Sequence, residues 1–135
     1  MTKIKQIEIR VYYEDTDSGG VVYYANYLKF IERGRSEYLR DLGFEQDVLT
    51  QENNIIFAVR SVNAQYRFPA RFNDLLTVQT LIKKVGHASL IFSQKITPSG
   101  KNKVLFEAQI TIACLHADTL KPCGIPSVIL EKING

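Results

Sequence analysis

Apolar and polar residues alternate through "IEIRVYY": Ile7, Ile9, Val11 and Tyr13 fall on one side, Glu8 and Arg10 on the other. A period of two is that of a half-buried strand, predicted over residues 7–13. The period then changes. In "YYANYLKFIERGRSEYLRDLG", Tyr27, Ile31, Gly34, Tyr38 and Leu42 recur at steps of three and four, and Phe30 widens the stripe. That spacing predicts an amphipathic helix of about five turns. Gly43 follows as a left-handed C-terminal cap, with Phe44 folding back on the last turn. Asn26 is a candidate N-cap, as are positions nearer Ser18. Gly34 interrupts the stripe, although glycine in a helix interior costs about 1 kcal/mol. The expected reason is close approach of the helix to a sheet.

The segment "EQDVLTQENN" reads as a polar connector. Four strands are predicted beyond it. Residues 55–68 carry Val62, Ala64, Tyr66 and Phe68 on one face, and residues 75–85 carry Leu76, Val78 and Ile82. Residues 88–96 carry Ala88, Leu90, Phe92 and Ile96. Residues 104–115 alternate Val104, Phe106, Ala108, Ile110, Ile112 and Cys114 with Glu107, Gln109 and Thr111. The links "PARFND", "VGHA" and "PSGKN" are short and rich in turn residues, so neighbouring strands are expected to be antiparallel. The sum is an α+β fold: a five-stranded antiparallel sheet wrapped around one long helix. Residues 1–135 form one expected domain, with no repeat or linker. An open sheet edge and a single covering helix favour pairing with a second copy, as a symmetric dimer or a dimer of dimers.

Composition narrows the function classes. The formal net charge is +3, with lysines and arginines spread in ones and twos, unlike the dense basic stripe of a nucleic-acid binder. No apolar run approaches the roughly 18 residues of a membrane helix, and the N-terminus lacks the apolar core of a signal peptide. A cytoplasmic protein without an integral membrane segment is expected. Cys114 and Cys123 are too few for a disulfide framework and form no CxxC pair, so both are expected to stay reduced. His87 and His116 are too few and too scattered for a zinc site, and no metal or other cofactor is expected. Cys114 and His116 share a strand face, but at about 6–7 Å they are too far apart for an activated thiolate pair. A core thiol is the simpler reading.

The candidate chemistry lies in "EDTDSGGVVYYANY". Alternation continued past Tyr13 would put Asp15 and Asp17 on the core-facing side, where a carboxylate must be paired or hydrogen-bonded. Gly19 and Gly20 let the chain turn sharply and let a ligand approach the main chain. The helix start beyond them offers unpaired N–H groups and the positive end of the dipole to an oxyanion or a polarised carbonyl. A carboxylate facing such donors suits attack on an acyl carbon. The same aspartates could instead cap a turn or the helix.

"YYEDTDSGGVVYYANYLKFIERGRSEYLRDLGF" resembles the signature of the hot-dog-fold acyl-CoA thioesterases, specifically the 4-hydroxybenzoyl-CoA thioesterase family. The nearest branch is that associated with the bacterial Tol–Pal envelope system. "VNAQYRFPARFNDLLTV" and "LKPCGIP" extend the likeness over nearly the whole chain. The resemblance implies a hot dog fold, homodimeric or homotetrameric assembly and hydrolysis of an acyl-CoA, with an acyl carrier protein as the alternative substrate carrier. It implies that Asp17 is the catalytic carboxylate, as nucleophile or as general base. It implies further that the main-chain N–H of Tyr24 polarises the thioester carbonyl. Asp15 reads as a turn residue, with a direct catalytic part as the alternative.

The Tol–Pal-associated branch usually carries histidine where this chain has Tyr24, whereas the 4-hydroxybenzoyl-CoA enzyme carries tyrosine. An acyl pocket lined by Tyr24 and Tyr27 would take short aliphatic or aromatic groups. Gly20, Val22, Tyr27, Glu32 and Arg67 are the candidate substrate-contacting residues. Glu32 has a second reading, as a surface glutamate beside Arg33, Arg35 and Ser36. Arg67, Arg71, Lys83 and Lys84 are the cations available to coenzyme A. A non-catalytic binding or scaffold module of the same fold is the alternative function; a hydratase is disfavoured because the helix offers no histidine.

Overall fold

A computed structural model describes residues 3–134. Its strands are β1 (Ile4–Arg10), β2 (Ile55–Tyr66), β3 (Leu75–Val85), β4 (Ser89–Pro98) and β5 (Phe106–His116). They form one antiparallel sheet in the order β1-β3-β4-β5-β2. Three helices accompany it: α1 (Asn26–Asp41), α2 (Gln46–Asn53) and α3 (Ser127–Asn134). The predicted α+β architecture is the one observed, and the sheet curves around α1.

Two bulges add to that curvature. Arg60 is the extra residue of β2 between the Val59–Ile112 and Ser61–Thr111 pairs, and Lys83 is that of β3 between Ile82–Phe92 and Lys84–Ile91. A bulge bends its strand and strengthens the local twist. The concave face carries Leu76, Val78, Leu90, Phe92, Ile96, Phe106, Ala108, Ile110 and Ile112, all buried. Against it α1 sets Tyr27, Phe30, Ile31, Tyr38 and Leu39.

Gly34 holds α1 tight to the sheet. A Cβ on Gly34 would lie 2.5 Å from Thr80 Oγ1 and 3.0 Å from both Gln94 Nε2 and Val78 Cγ1. The contact is polar inside an apolar core. Gln94, only 2% exposed, donates through Nε2 to the Ile31 carbonyl and to Thr80 Oγ1, and its Oε1 accepts from Arg35 Nη1. These buried amide and hydroxyl groups therefore keep their hydrogen bonds, which spares their desolvation cost. At the C-terminal end Gly43 adopts φ +98°; its N–H bonds the Arg40 carbonyl and that of Phe44 bonds Leu39. This is the Schellman arrangement, with Phe44 packed on the core as expected.

Several local expectations are corrected. Strand β1 ends at Arg10, three residues short of the predicted end, and Tyr13 begins a short 3-10 helix over Tyr13–Asp15, 78% exposed. Helix α1 begins at Asn26, and its N-cap is Ala25 without a side-chain bond, neither Asn26 nor a position nearer Ser18. Asn26 lies inside the helix, its Nδ2 donating to the Asp15 carbonyl. The "connector" contains α2, which buries only Leu49 and is too short to show a stripe. Helix α3 adds to the expected elements; Ile129 anchors it, with Leu130 and Ile133 packed alongside. Val104 lies ahead of β5 rather than in it.

Candidate active site

The stretch between β1 and α1 folds as a tight hairpin. Thr16 and Val22 bridge its arms, the Asp17 N–H bonds the Val21 carbonyl, and the Gly20 N–H bonds the Asp17 carbonyl. Gly20 takes φ +77°, a left-handed conformation glycine adopts without penalty. A three-residue loop with this pattern is a β-turn closed by a left-handed residue. Asp17 begins the turn, and its Oδ1 accepts the Gly19 N–H at 2.9 Å. The other carboxylate oxygen has no hydrogen-bond partner among the described residues.

Strand alternation does not continue through Asp15 and Asp17 into this hairpin. The backbone leaves the strand after Val11, so neither side chain enters the core: Asp15 is half-buried and Asp17 is exposed in the single chain. Asp15 serves the turn. Its Oδ2 accepts from the Tyr12 N–H, while its carbonyl accepts from the Tyr23 N–H and from Asn26 Nδ2. Asp15 thereby ties the 3-10 helix, the returning arm and the first turn of α1 together.

Donors at the helix start are partly spent. The N–H groups of Val22, Tyr23 and Asn26 bond the carbonyls of Ala70, Asp15 and Tyr23. Those of Tyr24 and Ala25 find no acceptor among the described residues. Two adjacent free donors at the positive end of a 16-residue helix form an electrophilic corner suited to a polarised carbonyl oxygen. The carbonyl side of Tyr24 is fixed by a residue the sequence placed merely on a strand face: Tyr66 Oη donates to the Tyr24 carbonyl at 3.0 Å.

Aromatic rings build one wall here. Tyr24 and Tyr66 meet edge-on with centroids 6.5 Å apart; Tyr66 also meets Tyr27 at 5.4 Å and Phe106 at 4.9 Å. Tyr27 is buried, stacks on Phe106 at 5.1 Å, and accepts the Ala70 N–H on its hydroxyl. Burial raises the Tyr27 phenol above its ordinary value, with the Ala70 N–H pulling the other way. Burial, then Tyr24, raises that of Tyr66. Both are neutral phenols near pH 7.

The remaining predicted contacts separate. Gly20 is exposed, with open space where a Cβ would stand. Val22 is buried at 4% exposure and its amide is engaged, so it supports the hairpin from within. Arg67 pairs with Glu107 at 2.6 Å on the exposed surface. Arg71, which bridges Val21, belongs to the hairpin end. Lys83 and Lys84 lie at the other end of β3, roughly 30 Å away at 3.3 Å per residue, beside Tyr38 and α3. One coenzyme A on one chain does not span both groups. Glu32 is exposed and accepts from Ser36 Oγ at 3.3 Å. With Arg35 it lines a cavity of about 200 Å³ whose walls include Phe57, Leu90 and Phe92. Nothing in the sequence marks Arg35 as part of this cavity. Its signal is visible only in space, where burial lowers its basicity and Glu32 opposes the shift.

Comparison with known proteins identifies the family and the fold. Residues 11–133 match the model of the thioesterase-like superfamily. An Escherichia coli acyl-CoA thioester hydrolase, YbgC, is 43% identical over 126 residues, covering 93% of this chain and 92% of its own. The crystal structure of a probable thioesterase from Bartonella henselae superposes with a TM-score of 0.86 at 36% identity, covering 92% of this chain and 100% of its own. The 4-hydroxybenzoyl-CoA thioesterase of a Pseudomonas strain matches in fold, with a TM-score of 0.88 at 23% identity over 96% of this chain and 98% of its own. The hot dog fold, the hairpin ahead of its long helix and a family match over most of the chain together make this protein a member of the thioesterase-like superfamily.

Proposed function

We propose that the protein hydrolyses acyl-CoA thioesters to a free acid and coenzyme A, with Asp17 as the catalytic carboxylate. One observation carries the assignment. A single hairpin-and-helix unit holds a carboxylate with an oxygen uncommitted among the described residues and, after the turn, a main-chain N–H at Tyr24 that has no acceptor among them. In the reaction the thioester oxygen accepts from the Tyr24 N–H. Asp17 either takes a proton from water as that water adds to the carbonyl carbon, or adds to it directly to form a mixed anhydride that water then opens. The C–S bond breaks and coenzyme A leaves as its thiolate. The Tyr24, Tyr66 and Tyr27 rings favour a short aliphatic or aromatic acyl group.

Asp17 is exposed in the single chain, so the proposal includes a second copy that covers it. Strand β2 supports this. It is an edge strand of 12 residues whose concave-face Val59 and Val62 are 52% and 46% exposed. An open, apolar edge of that length is a pairing surface. Dimeric or tetrameric assembly, a cytoplasmic location and a choice of coenzyme A over an acyl carrier protein complete the proposal.

Thiol release from a panel of acyl-CoAs tests it. Asp17→Asn should lower kcat by about 10²–10⁴-fold, the usual yield of a positioned acid or base, with fold and assembly intact. Undiminished turnover in that variant would remove Asp17 from the mechanism. Wild-type protein that binds acyl-CoA and releases no thiol would instead indicate a binding module, a role to which the Asp17 turn bond is equally suited.

A further inference from the structure

The two cysteines, 9 residues apart, meet across a second hairpin. Leu115 and Pro122 bridge it, the His116 N–H bonds the Lys121 carbonyl, and the Cys123 N–H bonds that of Cys114 at 3.0 Å. Cys114 and Cys123 are therefore directly opposed on antiparallel segments. Opposed residues of such a pair lie about 4.5–5.5 Å apart at Cα, within the span a disulfide bridges. Their side chains face each other, with Sγ atoms 3.6 Å apart, and both thiols are free. Cys114 is fully buried and Cys123 half-buried, so Cys123 is the one solvent reaches.

We propose that Cys114 and Cys123 are a reversible disulfide site, closed by a hydroperoxide and reopened by a dithiol. The Cys123 thiolate attacks the peroxide O–O bond, giving a sulfenic acid and, with hydrogen peroxide, hydroxide. Cys114 Sγ then displaces the sulfenic hydroxyl, which leaves with a proton as water. In sum, two thiols and one peroxide give one disulfide and two waters; sulfur loses two electrons and the peroxide gains them. Contact between the thiols makes the second step intramolecular, so it competes with further oxidation of the exposed sulfur. Burial and Cys123 raise the Cys114 thiol, which keeps Cys114 from reacting first.

The bond would pin the strap that carries α3. The Ile125 N–H bonds the His87 carbonyl, and Gly124 lets the His87 ring approach to where a Cβ would clash at about 3.0 Å. The disulfide would add a covalent tie to this packing. It lies far from the hairpin at Asp17: Cys114 is eight residues along β5 from Phe106, about 27 Å.

The test treats the reduced, intact protein with stoichiometric hydrogen peroxide, followed by alkylation in denaturant, intact mass and peptide mapping. The expected result is loss of both titratable thiols, a mass lower by two hydrogens, one cross-linked peptide pair and full return of both thiols with dithiothreitol. Amide exchange over residues 122–134 should slow in the oxidised form, and peroxide should leave exchange unchanged in Cys123→Ser. A sulfinic acid on Cys123 with Cys114 still alkylatable would overturn the proposal. So would a disulfide linking Cys123 of two molecules, or two untouched thiols.

Discussion

Tyr66 Oη donates to the main-chain carbonyl of Tyr24 across 42 positions of sequence, and so holds the peptide next to the unpaired Tyr24 N–H. The proposed carbonyl-binding donor is therefore positioned from β2, not by α1 alone. Tyr66→Phe keeps the ring contacts and removes that bond. Turnover should fall by about 5–10-fold, which corresponds to the ~1 kcal/mol of a neutral hydrogen bond, with the loss in kcat more than in KM. Tyr24→Phe should retain most of the activity, since the proposed role belongs to the main chain. Steady-state kinetics of the two variants separates these; a Tyr24→Phe loss of several orders of magnitude would put the phenol hydroxyl in the chemistry.

Gly34→Ala sets helix propensity against packing. Alanine gains about 1 kcal/mol of intrinsic preference in a helix. Its Cβ meets Thr80 Oγ1 at 2.5 Å, in a network where Gln94 already bonds both Thr80 and the Ile31 carbonyl. Overpacking of a filled core costs ~1–3 kcal/mol and here dominates. Urea denaturation should show a lower midpoint for the variant with an unchanged m-value. A rise in midpoint would mean that α1 lifts from the sheet without penalty.

Val62 tests the assembly surface. It faces the concave side opposite Ile110 yet is 46% exposed, because α1 packs over β1, β3 and β4 and does not reach it. Val62→Lys should leave the monomer folded and shift the assembly toward monomer by analytical ultracentrifugation. Acyl-CoA hydrolysis should fall in parallel if a second copy completes the site.

Cys114 makes stability depend on alkaline pH. Burial first, and Cys123 second, push its thiol from an ordinary 9.0 up to about 12. An acid raised in the folded state is held neutral there, so its contribution is fully present below about pH 9. It is lost as pH rises from about 9 toward about 12, because the unfolded chain gains a thiolate the native core rejects. The stability difference between wild type and Cys114→Ala, measured by urea unfolding, should shift against the wild type over that window. A difference that is flat with pH would show that the thiol ionises freely in place.

Periodicity made most of the architecture legible. The two-residue repeats of β2 to β5 and the three-four repeat of Tyr27, Ile31, Gly34, Tyr38 and Leu42 each report a local face, and a face is written in neighbouring residues. Gly43 with Phe44 was readable for the same reason, since a C-terminal cap is satisfied within one turn. The close approach at Gly34 was also expected from a glycine in an otherwise apolar stripe.

Where local evidence ended, tertiary structure decided. Alternation through Tyr13 pointed both aspartates inward, but Asp15 Oδ2 takes the Tyr12 N–H and turns the chain outward before Asp17. The Tyr66 hydroxyl on Tyr24, the Gln94 network under Gly34 and the facing sulfurs of Cys114 and Cys123 each need segments distant in sequence or a return of the chain. Such contacts leave no period in the sequence. They arise only as the chain folds: Gln94 and Thr80, buried between sheet and helix, must find partners there, whereas the Tyr66–Tyr24 bond forms at the exposed surface.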